Sequence, residues 1–155
     1  MAEDIAGFEL AFVLIGAFRQ LIDDLHAELA EQGFPEARPG HGFALQAIGP
    51  GRVSISDLSR RLGVSKQAAS KSVRHLENIG YVTRTPDPED ARAALIARSA
   101  RGTELLRLSE SILDRQRDAW RAAIGDMQFD ETVRALRKMG AKSNLVDLGG
   151  WLQQG

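Results

Sequence analysis

Apolar residues recur at helical spacing through the first part of the chain. Phe8, Phe12, Ile15, Ile22, Leu25 and Leu29 lie three, four or seven positions apart, with Leu14, Phe18 and Leu21 widening the stripe. That periodicity predicts one long helix over 4–31. Gly33 follows as a stop, and Phe34-Pro35 opens a Pro- and Gly-rich loop that runs to Gly40. A stripe this wide, with three phenylalanines, needs more cover than one neighbouring helix provides. A subunit interface and packing within one chain both remain open.

The pattern then shortens. His41 to Gly49 reads as a brief apolar helix ended by Gly49-Pro50-Gly51. Ser54-Ile55-Ser56-Asp57 has the form of a capping box, since the Ser54 hydroxyl can accept from the backbone of Asp57. The helix it opens carries Leu58 and Leu62 and stops at Gly63. Ser65 caps the next helix, whose inward line is Ala69, Val73 and Leu76, with Gly80 as its stop. Two short helices joined by a tight Gly-containing turn make a helix-turn-helix.

Strand chemistry follows directly. Tyr81 to Thr85 is β-branched and aromatic, Pro86 to Asp90 is turn-forming, and Arg92 to Arg98 returns through Leu95 and Ile96. A β-hairpin in this place is a wing. Ser99 can cap a further long helix over 100–124, with Leu105, Leu108, Ile112, Ala119 and Ala123 as inward candidates and Gly125 as its break. Asp130 is then expected to cap a shorter helix with Val133, Leu136 and Met139 on one line. The tail over 143–155 yields no element. The predicted fold class is mainly α with a small β-wing. It is a single domain over 1–155, with a winged helix-turn-helix lobe at 40–102 between long helical segments at 4–33 and 103–155.

Composition adds exclusions. The chain has 155 residues, 43% apolar and 26% charged, and no cysteine. Disorder throughout is excluded, and so are disulfides and thiolate chemistry. Met1 to Asp4 carries acids in place of a basic leader, and the apolar run Ile5 to Phe18 is broken by Glu9 and too short to span a bilayer. A cytoplasmic protein with no membrane partner is the expectation.

The net charge of −1 argues, taken whole, against a nucleic-acid partner. Resolved along the chain it reads differently. Residues 52–101 hold ten basic and five acidic side chains, net +5, and the remainder is −6. A basic middle between acidic flanks suits one segment facing a polyanion; a chance cluster on a solvated surface is the alternative. The outer face of the second short helix carries Lys66, Gln67, Ser70, Lys71 and Arg74, and no acid occurs from Lys66 to His75. An amide can pair bidentately with adenine, and Lys or Arg can read guanine or hold phosphates. A plain solvent face would usually mix both signs. An arginine near the hairpin tip suits the negative potential of a narrow minor groove.

Over about residues 40–102 the sequence strongly resembles the MarR family of winged-helix transcriptional regulators. The resemblance is carried by "SISDLSRRLGVSKQAASKSVRHLENIGYVTR" and by the wing "PDPEDARAALIARSARG". Its signature falls here on Asp90, Arg92, Leu95, Ile96, Ser99 and Gly102. The resemblance implies a homodimer whose terminal helices interlock, with two winged lobes on one DNA face. It also implies an Asp90–Arg92 pair that orders the wing, with Arg92 in the minor groove. Three positions depart from the pattern. Ala94 stands where many relatives have Lys or Arg, Arg98 where an apolar residue is usual, and Ser99 where Thr is commoner.

The expected function is therefore that of a sequence-specific DNA-binding regulator, a homodimeric repressor on a pseudo-palindromic operator of double-stranded DNA. The expected DNA-binding residues are Arg52, Ser65, Lys66, Gln67, Ala68, Ser70, Lys71, Arg74, Arg84, Asp90 and Arg92, with Arg52, Lys66, Arg74 and Arg84 on phosphates. The resemblance also implies a small aromatic or phenolic effector in a crevice between the long helices and the lobe. Phe12, Ile15, His41, Phe43 and Trp120 could line it, plain core packing being the alternative, and His41 between glycines reads equally as a solvated loop residue. No cofactor is expected. Zinc is not expected either, because His26, His41 and His75 fall on different elements without ligand spacing. No catalytic motif is present, so the chain is not expected to be an enzyme. The rival is a winged-helix module for protein contacts without specific DNA binding.

Overall fold

Helix α1 runs Gly7–Glu31 in the computed structural model, which describes residues 5–140. It starts after Ala6, which makes no side-chain cap; position 4, and the predicted tail over 143–155, lie outside the described residues. Only the second half of α1 meets the core, through Leu25 and Leu29. The first half projects, leaving Phe8 82% and Phe12 68% exposed.

Helix α2 spans Pro39–Ile48, two residues earlier than the sequence pattern suggests. Pro39 at its first position has its φ preset and no N–H to satisfy. His41 is therefore a half-buried residue of the first helical turn and no loop residue. Strand β1, Arg52–Ser54, was not foreseen. Three residues carry too little pattern to read, and the strand exists by pairing with a distant partner.

The caps act as expected. Ser54 Oγ accepts the Asp57 N–H at 3.1 Å and opens α3, Ile55–Leu62, which ends at left-handed Gly63 with φ 65°. Ser65 Oγ accepts the Ala68 N–H at 3.1 Å and opens α4, Lys66–Asn78. Each such cap stabilises its helix by about 1 kcal/mol. The wing strands are β2, Val82–Pro86, and β3, Ala94–Arg98, and the antiparallel sheet has the order β1-β3-β2. The returning strand starts two residues later than expected because Arg92 and Ala93 belong to the turn.

Ser99 Oγ accepts the Gly102 N–H at 3.0 Å and opens α5, Ala100–Ile124. Helix α6, Asp126–Met139, begins directly after Gly125. Asp130 does not cap it. The residue falls within the helix, with its exposed carboxylate 2.9 Å from the Arg121 guanidinium.

The core is built where the helices converge on the sheet: Leu45 and Ile48 of α2, Leu58 and Leu62 of α3, Val73 and Leu76 of α4, Ile96 of β3, Leu105 and Ile112 of α5. Burying each such side chain contributes about 2 kcal/mol. Ala119 and Ala123, expected inward, are exposed, and α6 buries no residue. With the start of α1, these segments leave an unpartnered apolar surface that includes Ile124, Met127 and Met139.

Candidate nucleic-acid interface

Of the ten cations between residues 52 and 101, the fold engages half. Arg60 pairs with Asp57. Arg61 donates to the Ala47 and Ile48 carbonyls at 2.9 and 3.3 Å, closing the end of α2. Arg84 lies 3.3 Å from the Glu77 carboxylate and ties β2 to α4. Arg98 donates through Nε to the Leu45 carbonyl at 2.8 Å, joining β3 to α2. Arg101 holds the Glu36 carboxylate at 2.6 Å and stacks over Phe34, 4.4 Å from its ring centre. Arg52, Lys66, Lys71, Arg74 and Arg92 form no ion pair or side-chain hydrogen bond among the described residues, and all five are exposed. They belong to β1, α4 and the wing turn.

Four of the five acids of the segment are likewise engaged. Asp57 and Glu77 are in the ion pairs above. In the wing turn, Asp90 accepts the backbone N–H of Arg92 at 3.0 Å, and Asp87 accepts the N–H of Glu89 at 2.9 Å. Backbone bonds from Ala93 N–H to the Asp90 carbonyl and from Asp87 N–H to the Ala93 carbonyl close the loop. Such Asx contacts stiffen a turn through its backbone. The Asp90–Arg92 relationship implied by the resemblance thus exists, but it runs through the Arg92 main chain. The guanidinium remains unpaired among the described residues.

On α4 the residues expected to read DNA differ in exposure. Gln67 is exposed beside Lys66, Lys71 and Arg74, Ser70 and Ala68 are half-buried, and Ser65 is committed to the cap. Ala69, Val73 and Leu76 occupy the opposite, buried side. Arg84, also expected on DNA, has a protein partner. Its Nε is on Glu77, so it serves first as a strut between wing and helix.

Beneath the lobe lies a polar cluster that the sequence did not reveal. Tyr81, fully buried, donates its hydroxyl proton to Glu36 at 2.8 Å, and Arg101 holds the same carboxylate oxygen. The hydrogen bond from Arg101 leads in holding the Glu36 carboxyl down to about 2. Burial, followed by the bond to Glu36, pushes the Tyr81 phenol well above its usual range. These partners lie 45 and 65 residues apart in sequence. Nothing local marks them.

The proposed effector residues separate. Phe43 lines a cavity of about 170 Å³ between α1, α2 and α5, with Ile22, Leu25, His26, Leu105 and Leu113. Phe12, Ile15 and Trp120 do not line it; all three are exposed. His41 lines a different cleft, between α2 and α4. There its Nε2 lies 3.1 Å from Nε2 of His75, although the two residues are 34 positions apart. Burial of the His41 ring, with the neighbouring His75, Arg38 and His26 charges, lowers its pKa to about 4. Among the described residues, no group of three or more His, Asp or Glu side chains is arranged to hold a metal. No described helix is long and apolar enough to cross a membrane.

A helix-turn-helix with a cationic second helix, followed by a cation-tipped β-hairpin, is the winged-helix arrangement, a fold that other proteins dock on DNA. Residues 43–93 match the family model described as MarR family. It is 32% identical over 98 residues to the exopolysaccharide II synthesis transcriptional activator ExpG of Rhizobium meliloti, covering 63% of this chain and 50% of that protein. The chain thus spans about half the length of that curated relative. Its fold is similar to that of RV1404 from Mycobacterium tuberculosis, with TM-score 0.75 and 19% identity over 93% of this chain and 99% of that one. It is also similar to Streptococcus pneumoniae FabT, solved in complex with DNA, with TM-score 0.73 and 17% identity over 86% and 94% of the two chains.

Proposed function

We propose that this protein is a homodimeric, sequence-specific DNA-binding regulator that inserts α4 into the major groove and the β2–β3 tip into the flanking minor groove. One observation carries the reading. The cations without a protein partner among the described residues, Arg52, Lys66, Lys71, Arg74 and Arg92, belong to the elements that such docking would present. The remaining cations of 52–101 hold the lobe together. Gln67 would read a base edge, and Lys66, Arg74 and Arg92 would neutralise phosphate or groove potential. The exposed apolar surface of α1, α5 and α6 supports pairing of two chains through these helices. Two-fold symmetry then requires a pseudo-palindromic operator with half-sites roughly 34 Å apart.

Occlusion of a promoter would make the protein a repressor. The relative named as an activator favours the second outcome, in which the same dimer bound upstream raises transcription. An aromatic effector in the cavity beside Phe43 would release DNA by stabilising a lobe spacing unsuited to the operator. Selection of an operator from a random duplex pool, with affinity measured across a salt series, tests the central reading. A palindromic consensus with steep salt dependence is expected. Failure to enrich any sequence would leave the protein-contact module as the reading. The position of the operator relative to the promoter separates repression from activation.

A further inference from the structure

Between α2 and α4 lies a cleft lined by Ala44, Ala68 and Leu76. Among the described residues, one hydrogen bond joins the two helices across it: His41 Nε2 and His75 Nε2 lie 3.1 Å apart. His41 is half-buried in the first turn of α2, and His75 is exposed on α4 beside the buried Leu76. The contact therefore engages the helix that presents Gln67, Lys71 and Arg74, with Lys71 one turn before His75.

The pair has room for two protons and no more. His41 Nδ1 accepts the backbone N–H of Arg38, the N-cap of α2, at 3.1 Å, so the His41 proton is on Nε2. That proton is directed at His75 Nε2, which accepts it, and His75 carries its own proton on Nδ1. A third proton can enter only on His41 Nδ1 or His75 Nε2. The first breaks the bond to the Arg38 N–H, and the second breaks the bond between the rings.

The surroundings offer that proton no free counter-charge. His41 is faced by Arg38 from the start of its own helix, by His75 from α4 and by His26 from α1. Lys71 lines the same cleft, and no carboxylate does among the described residues. The Tyr81 ring, just before β2, stands edge-on with its centre 5.8 Å away. Glu36, in the loop before α2, is the nearby acid, and it already holds the Arg101 guanidinium and the Tyr81 hydroxyl. Burial and these cations hold the His41 ring at about 4 against an ordinary 6.5. Separation of the rings returns His41 to water, so acid favours the separated state.

We propose that the His41–His75 contact is a proton-released latch that seats α4 on α2. With both rings neutral, the bond holds the C-terminal half of α4 against the start of α2. A third proton, taken from solvent, breaks that bond or the α2 cap, and the imidazolium repels Arg38 and Lys71. Helix α4 then stays packed through Ala69, Val73 and Leu76 alone, and its seat shifts. The shift misplaces Lys71 and Arg74 against phosphates, so protons and operator DNA oppose each other, reciprocally. That opposition rests on the DNA-binding reading, whereas the latch itself does not.

The test uses the full chain with 15N-labelled histidine and backbone. Near neutral pH, a scalar coupling across the hydrogen bond should connect His41 Nε2 with His75 Nε2. As the pH falls, that coupling should vanish and both rings should charge on one linked curve. The backbone amides at the start of α4, Lys66 to Ser70, should shift on the same curve, while His26 titrates apart. In His41→Gln a glutamine at the third helical position keeps the cap, and these amides should cease to follow the pH. His75→Gln serves if that variant does not fold. Independent titration of the two rings, or α4 amides that stay still while the rings charge, would overturn the latch. Acidification adds positive charge and by itself favours DNA. Even so, between neutral pH and about pH 5 the wild-type operator Kd should rise about fivefold relative to that of His41→Gln. Identical pH profiles for the two proteins would overturn control of DNA binding by the latch. If the chain binds no DNA while the histidine titration behaves as expected, the latch stands and only the DNA-binding reading falls.

Discussion

A Cβ on Gly102 would stand 2.1 Å from the carbonyl oxygen of Tyr81. The first turn of α5 therefore lies directly on the backbone that leads into β2, and Leu45 Cδ2 at 3.2 Å closes the other side. Ser99 locks the contact. Its N–H donates to the Tyr81 carbonyl at 3.0 Å, and its hydroxyl donates to the Gly80 carbonyl at 2.6 Å. Elsewhere in a helix, Gly→Ala would stabilise by about 1 kcal/mol. Here Gly102→Ala must separate α5 from the wing, and a loss of about 2–3 kcal/mol is expected. The urea midpoint should fall with the slope unchanged.

Stability should decline in two stages on acidification. His41 ordinarily titrates at 6.5 but is held at about 4 in the fold, first by burial. Between these values the unfolded chain takes up a proton that the folded chain refuses, so stability is full above pH 6.5 and is lost as the pH falls towards 4. Solvent reaches the half-buried ring, and a loss of about 1 kcal/mol is the expected scale. Glu36, held at about 2 against an ordinary 4.5 by Arg101, adds a second decline below pH 4.5. Thermal unfolding of His41→Gln should lose the first stage and keep the second.

Arg92 and Arg84 should behave differently on DNA. Arg92→Ala removes a guanidinium without a protein partner among the described residues. It should weaken binding to all sequences and reduce the salt slope by about one. Arg84→Ala instead breaks the strut to Glu77. It should loosen the wing and leave the slope nearly unchanged. Fluorescence anisotropy at several salt concentrations distinguishes them, and an unaltered operator affinity for Arg92→Ala would remove the wing from the interface.

Gln67→Ala should act on specificity. Loss of one base-edge contact should cost about 1–3 kcal/mol on the preferred operator and little on random duplex. Competition between the two DNAs measures the ratio directly. A parallel fall on both would make Gln67 a backbone contact.

Association through the long helices predicts that Phe12→Glu yields monomers. Phe12 is 68% exposed in the single chain and supports no core contact there, so the winged lobe should keep its thermal midpoint. Sedimentation of the wild type as a dimer and of the variant as a monomer is the expected pair of results. A wild-type monomer at micromolar concentration would overturn the pairing.

Much of the fold was legible because its signals act within one turn of chain. Ser54, Ser65 and Ser99 each reach an N–H three residues on, Gly63 supplies a left-handed stop, and Ala69, Val73 and Leu76 recur at a helix's own period. The sequence alone therefore determined the helix-turn-helix, the hairpin and the cationic outer face of α4. It could not determine which charges that face keeps. Arg84 on Glu77, Arg98 on the Leu45 carbonyl and Arg101 on Glu36 are partnerships made across the chain by packing, and they leave Arg52, Lys66, Lys71, Arg74 and Arg92 without partners among the described residues. The same holds for β1, which is too short to declare itself before β3 pairs with it. It holds equally for His41 and His75, whose rings meet only in the packed chain. Local hydrogen bonding and periodicity are written in neighbouring residues; the choice of partner depends on distances that only the packed chain defines.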